Sequence, residues 1–482
     1  MNQFTPLRHG AGALALLLAY ATSVAAAEWF VATGAQGNGT ASAPFGLIQQ
    51  ALAAAQPGDI VTVLPGTYRE RLQTVRHGQS NGRVTLRSAN GKGSVTVTSS
   101  GRVLSVDHAY FTVDGLVLDG EYGASDAVRI SGAAHYLTLR HSEVRHSTGD
   151  LIDMAGPTGV LIEHCLIHHA LNASGGRTDA HGIVAGPVQQ LTIRDTDIHT
   201  FSGDGVQVDP GRAAPGWNDV TLDGVRIWLE PLAEDENGFA AGTVPGENAI
   251  DTKAAANLPR GRLTIRNVTA WGFQNGLITN MAAFNLKEHV DARLDGVTVF
   301  DSQIAFRLRG GGRTGPGAWV TVVNAVVHSV STAYRYEDDI QRLQIWHNTV
   351  GKDVTRPFQA AESNDHGLNV RNLLLLGERP PEAVDPSNLL APEGWFVDPS
   401  RHDYRLTAAA KAIDAGVPLP EVVIDRRGVK RPVGRAPDVG AYEGATLSSG
   451  QPAIDAEMRQ SPQTSGRPQP IRWTVRPIAG CH

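Results

Sequence analysis

A chain of 482 residues with a formal charge of −6 and two cysteines has no disulfide framework to hold it, and its acidity argues against a nucleic-acid binder that relies on a basic face. With 53 glycines and 6% aromatics, the composition suits short strands joined by tight turns better than packed helices. An acidic protein that binds an acidic polymer needs a local basic patch or a bridging cation.

The N-terminus carries Arg8 and His9, an apolar run from Ala11 to Ala21, and Ala25, Ala26 and Ala27 before Glu28. This is the pattern of a secretory signal peptide with a small-residue cleavage site. It predicts a leader over residues 1–27, a mature chain starting at Glu28, and a secreted or periplasmic destination. No later stretch approaches the roughly 18 apolar residues of a membrane span, so none is expected. Next, Trp29-Phe-Val-Ala leads through a glycine-rich turn to a segment in which Leu47, Ile48, Ala51 and Leu52 share one helical face, predicting a short helix over the open end of a stack. Residues 58–70 then supply strand, turn and strand.

From there ten short segments repeat one pattern, an apolar residue, a Thr or small residue, a second apolar residue, a polar turn and another apolar pair. The clearest copies are Tyr136-Leu-Thr-Leu-Arg-His-Ser-Glu-Val, Gln190-Leu-Thr-Ile-Arg-Asp-Thr-Asp-Ile, Arg262-Leu-Thr-Ile-Arg-Asn-Val-Thr-Ala and Trp319-Val-Thr-Val-Val-Asn-Ala-Val-Val. The step is roughly 23 to 31 residues, with one of about 43, and such a period marks a solenoid. An all-β domain over 28–444 is expected as a monomer, followed by a Ser-, Gln- and Pro-rich tail over 445–482 with too little apolar pattern to fold.

The stretch from Pro57, Gly58 and Asp59 to Pro65, Gly66, Thr67 and Tyr68 resembles the N-terminal module of secreted right-handed parallel β-helix proteins of the pectate-lyase-like superfamily. Asp403-Tyr-Arg-Leu, Ala412-Ile-Asp-Ala-Gly and Pro437-Asp-Val-Gly-Ala-Tyr-Glu-Gly resemble the closing segment of many such proteins. The resemblance implies a right-handed parallel β-helix with an N-terminal capping helix.

In such a helix one strand position recurs coil after coil about 4.8 Å apart. Aligning apolar inward residues places Val128, Ile152, Ile183, Val206, Ile250, Leu277, Phe306 and Tyr334 inside. One outward column is then Arg129, Asp153, Val184, Gln207, Asp251, Ile278, Arg307 and Arg335. The column two residues on holds Asp209, Lys253, Asn280, Arg309 and Glu337, and the column two residues earlier holds Asp150, His181, Asp204, Asn248 and Asn275. An insertion over residues 229–246 and a loop over 210–217 fall beside the same coils, where loops build the walls of a binding face.

β-Elimination in a uronic-acid polymer removes the C5 proton beside a carboxylate, and neutralising that carboxylate with a hard cation or an arginine makes the proton more acidic. Asp204, Asp209, Glu247, Asn248 and Asp251 supply the oxygen donors that Ca2+ prefers. Lys253 is a candidate base, and Arg307 or Arg309 can pair with a substrate carboxylate. Gln207, Asn280 and Arg335 complete the candidate substrate-binding set. Gly246-Glu-Asn-Ala-Ile-Asp-Thr-Lys resembles a stretch of polysaccharide lyase family 9. That resemblance implies Asp251 as a calcium ligand, Lys253 as the Brønsted base, and Asp204 or Asp209 as a ligand from the preceding coil.

The leading expectation is therefore a polysaccharide lyase acting on an acidic glycan such as pectate or alginate. A C5-epimerase, a hydrolase using Asp204 and Asp251, and a glycan-binding surface protein without chemistry remain open. So does a purely structural reading, in which Asn248, Asn275 and Asp251 form side-chain ladders that satisfy the backbone. His164, His168, His169, His181 and His199 raise zinc, yet they lack a ligand spacing such as H-E-x-x-H.

Overall fold

The computed structural model describes residues 26–287, 289–310, 317–337, 340, 342–360 and 367–444. Apart from Ala26 and Ala27, the expected leader lies outside the described residues, as does the expected tail over 445–482.

Each coil visits three parallel sheets in turn. Sheet one has 13 strands, from Glu28–Val31 to Leu368–Arg371; sheet two has 13, from Gly66–Arg69 to Leu389–Leu390; sheet three has 11, from Leu72–Gln73 to Val354–Ala360. Every pairing within these sheets is to the preceding and following coil, which makes the chain a right-handed parallel β-helix. Alternation writes the fold locally. In Val84–Ser88, Val84, Leu86 and Ser88 are buried while Thr85 and Arg87 lie nearer solvent, as expected of a strand with one face on a core.

The helix expected at the N-terminal end spans Ile48–Ala54 and buries Ile48, Ala51 and Leu52 against the first coils. Leu47 is 49% exposed, because it lies before the first helical turn in extended backbone and so leaves the predicted face. No residue of the helix's own start caps it. Glu70 does so from the first coil, its two carboxylate oxygens accepting the Ile48 and Gln49 N–H groups at 2.8 and 3.0 Å. A carboxylate on orphan N–H groups at a helix start is favourable both as a hydrogen bond and against the helix dipole, so the cap is locked to the stack.

At the other end, residues 396–444 fold back along the outside of the last coils. Phe396, Tyr404, Ala412, Val439 and Tyr442 pack on Val326 and Leu374, and Arg431, 1% exposed along its side chain, pairs with Glu443 at 2.6 Å. The Arg431 guanidinium also donates to Asn324 Oδ1 at 3.1 Å, tying the closing segment to a coil corner. Three sheets, one continuous core and a strap at the end leave the outer face of sheet three as the broad surface on which side chains from successive coils line up.

Candidate functional site

The inward column of sheet three is Val128, Ile152, Ile183, Val206, Ile250, Phe284, Phe306 and Tyr334, by strand register. It follows the expected register except in one coil. There the inward residue is Phe284, and Leu277 is 53% exposed. After the strand Thr269–Trp271 the chain runs through a corner loop before re-entering sheet three at Ala282–Leu286. Phe284 stacks on Phe306 at 5.3 Å, and Tyr334 and Phe358 continue the stack, an aromatic ladder that Leu277 could not join.

This shift changes the outward columns of sheet three. The central outward column becomes Arg129, Asp153, Val184, Gln207, Asp251, Asn285, Arg307 and Arg335, so Asn285 replaces Ile278. Two residues on, Lys287 takes the place expected for Asn280, between Lys253 and Arg309. Asn280 instead sits on the corner loop, where its Oδ1 accepts a hydrogen bond from Arg335 at 2.7 Å. Asn285 and Lys287 had a signal in the sequence: Ala249-Ile-Asp-Thr-Lys, Ala283-Phe-Asn-Leu-Lys, Ala305-Phe-Arg-Leu-Arg and Ala333-Tyr-Arg-Tyr-Glu are copies of one five-residue pattern.

At the centre, Asp251 is 2% exposed and lies between two ammonium groups. Lys287 Nζ is 2.7 Å from Oδ1 and Lys253 Nζ 3.7 Å from Oδ2. Burial and then the nearby Asp204 charge push the Asp251 carboxyl up to about 7, with the lysines pulling the other way. The Lys253 backbone is held in turn, its carbonyl accepting the Trp217 indole N–H at 2.8 Å. Further along the stack, Glu337 gathers three guanidinium groups. Arg335 and Arg307 Nε lie 3.0 and 3.1 Å from Oε1, and Arg309 Nε lies 3.5 Å from Oε2. Five cations and two carboxylates thus share this end of the outward face, a local cationic excess on a protein whose formal charge is −6.

The column two residues earlier is a ladder. Asp150 Oδ1 accepts the His181 N–H at 2.9 Å, His181 Nδ1 accepts the Asp204 N–H at 2.8 Å, and Asn248 Oδ1 accepts the Ala282 N–H at 3.1 Å. Asp204 Oδ1 accepts from Asn248 Nδ2 at 2.7 Å and Oδ2 from Gln207 Nε2 at 2.9 Å. Burial raises the Asp204 carboxyl and lowers the His181 imidazole. Asn275 is on the corner loop and has no part in this ladder.

The expected calcium donors are held by different partners. Asp204 carries the ladder, Asp251 faces two lysines, and Glu247 pairs with Arg177. Asp209 Oδ1 accepts the Ala213 N–H of its own loop at 3.0 Å, while its Oδ2 is buried without a hydrogen-bond partner. Among the described residues no group of three His, Cys, Asp or Glu side chains is arranged to hold a metal ion. A cation at Asp251 would have to displace the two ammonium groups.

Two of the other histidines, His168 and His199, serve a different column. His168 stacks on His199 and His199 on Trp228, and Trp271, Phe300 and His328 continue the stack over sheet two. Burial lowers His168 and His199, and His164 lies outside the stack, beside Asp195. Glu337 is followed by residues 338 and 339, which lie outside the described residues.

The two expected walls stand on opposite edges of sheet three. The loop over 210–217 leaves its sheet-one edge. The insertion over 229–246 enters from the sheet-two edge, where Leu232 and Phe239 pack on Leu171, Asn237 donates to the Leu171 carbonyl at 2.6 Å, and Tyr122 donates to Glu236.

No family model matches the chain, and no curated protein does. Among solved structures it is similar to pectate lyase Pel9A, at 16% identity over 88% of this chain and 98% of that one, with a TM-score of 0.52. It is also similar to a rhamnogalacturonan lyase, at 15% identity over 90% of this chain and 98% of that one, again at 0.52. At these identities the likeness establishes the shared parallel β-helix fold.

Proposed function

We propose that the protein is a secreted polysaccharide lyase that cleaves an acidic, uronate-containing polymer by β-elimination in the groove over sheet three. The observation that carries this reading is the cluster of Lys253, Lys287, Arg307, Arg309 and Arg335 on one face of an acidic chain. It is the local basic patch that a polyanion requires. The lyase names of the two similar structures support the reaction class.

In this reading Arg307 and Arg335 take the substrate carboxylate, and their charge stabilises the carbanion that develops at C5. Glu337 holds the guanidinium groups in place without cancelling them. Lys287, tight against Asp251, is a fixed charge. Lys253 has the looser contact and is the base, with the Asp251 carboxylate beside it to take up its proton. The free amine removes the C5 proton and becomes an ammonium again, a C4–C5 double bond forms, and the C4 oxygen leaves with its chain, taking the proton that Asp251 had received. Arginine and lysine charges do the neutralising that calcium would otherwise supply.

The purified chain, offered pectate, alginate and related uronate polymers, should give unsaturated products that absorb in the ultraviolet. Lys253→Ala should lose roughly a thousandfold or more of kcat with substrate binding retained, and a chelator should leave the parent activity in place. Shortened products without a double bond would instead identify a hydrolase, and binding without shortening a glycan-binding protein.

A further inference from the structure

Asn285 lies on the outward face of sheet three, one coil from Asp251 and one coil from Arg307. Asp251 Oδ1 and Arg335 Nε lack a hydrogen bond of good geometry, yet the polar neighbours of Asn285 in the central column are held: Gln207 by a hydrogen bond to Asp204, Asp251 by ion pairs with the two lysines, and Arg307 and Arg335 by ion pairs with Glu337. Asn285 is not. The residue is 5% exposed, and its Oδ1 is buried with no hydrogen-bond partner. A buried acceptor without a donor costs stability, and native chains keep few of them unless a ligand completes the bond.

We propose that Asn285 is a specificity-determining residue whose Oδ1 accepts a hydrogen bond from a free ring hydroxyl of the uronate bound over Arg307 and Arg335. The inference rests on the uronate reading of the groove and narrows its substrate to polymers unsubstituted at that hydroxyl. The coil spacing of about 4.8 Å suits one pyranose ring, with its carboxylate on the arginines and a hydroxyl from its far side over Asn285. An amide is the fitting acceptor, since an aspartate here would add negative charge beside the substrate carboxylate. An O-acetyl or O-sulfate ester removes the donor hydrogen and sets another acceptor against Oδ1, so substituted residues are rejected at this position.

The test compares two uronate oligosaccharides identical except for O-acetylation of the ring hydroxyls, using titration calorimetry and, where turnover occurs, kcat/KM. The parent should favour the free-hydroxyl ligand by roughly ten- to a hundredfold. Asn285→Leu should bind both alike, having lost that factor on the free-hydroxyl ligand alone. Asn285→Asp, which keeps an acceptor, should bind both more weakly with the preference intact, and it serves as the deciding variant if Asn285→Leu does not fold. A parent indifferent to acetylation overturns the inference and leaves the uronate reading standing. So does an Asn285→Leu protein that keeps the parent's ratio, or an Asn285→Asp protein that loses it. A parent that binds no uronate oligosaccharide overturns both.

Discussion

Replacing Asp251 with asparagine should make the protein more stable above neutral pH while abolishing the proposed turnover. The carboxyl ionises at about 7 in the folded chain against an ordinary value of 3.8. Between those values the folded state holds a proton that the unfolded state has released. Stability contributed by this residue is therefore complete below about pH 3.8 and is lost as pH rises toward 7, at roughly 1.4 kcal/mol per pH unit. The full loss is about 4 kcal/mol, with the attraction of both lysines already included because the shift is net of them. The asparagine side chain mimics the protonated carboxyl at every pH. Thermal unfolding of both proteins from about pH 4 to pH 8 should give equal midpoints at the acid end. The variant should lead by about 5 °C at the alkaline end for a folded domain of this length. Taking the difference between the two profiles removes other titrating groups, such as Asp150 and Asp438, each also pushed up to about 6 by burial. Profiles that run parallel across the range would refute the claim that Asp251 is held against its ionised form.

Glu337→Gln leaves three guanidinium groups without their shared carboxylate. A fully buried pair broken on one side costs about 3–5 kcal/mol, but these arginine side chains are a fifth to a third exposed, so about 2 kcal/mol is expected by chemical denaturation. A uronate ligand should restore more stability to this variant than to the parent, and equal ligand-induced shifts would count against carboxylate binding at the arginines. Tyr122→Phe removes the phenol that holds Glu236 of the inserted loop. A hydrogen bond to a charged group contributes about 1.5–3 kcal/mol, so limited proteolysis within residues 229–246 should speed up at least tenfold while the rest of the chain stays resistant.

The solenoid was legible because burial on one side of each strand imposes a period that sequence cannot hide. The register was legible wherever coil corners were short, which placed Asp204, Asp251, Lys253, Arg307 and Arg335 correctly along sheet three. It failed between Trp271 and Ala282. Asn275-Gly-Leu-Ile-Thr-Asn imitates a strand by pattern, yet periodicity carries no information about how many residues a corner holds. That slip put Ile278 and Asn280 where Asn285 and Lys287 belong. The calcium expectation rests on residue types alone. Residue types show which groups can donate, but whether Asp204, Glu247 and Asp251 are free depends on partners such as Gln207, Arg177 and Lys287, which lie up to 70 positions away in sequence and meet only in the stack.

Each residue of the central column comes from a separate coil at an equivalent strand position, and that arrangement has a consequence for descent. Duplicating or deleting one whole coil outside residues 248–337 would lengthen or shorten the surface by one rung and leave the spacing of Asp251, Asn285, Arg307 and Arg335 untouched. The same event inside that span would move lysines and arginines apart by a full strand spacing. Lineages of this chain can thus tune the length of polymer they grip by copying coils, whereas the distance between base and carboxylate clamp is inherited as a block.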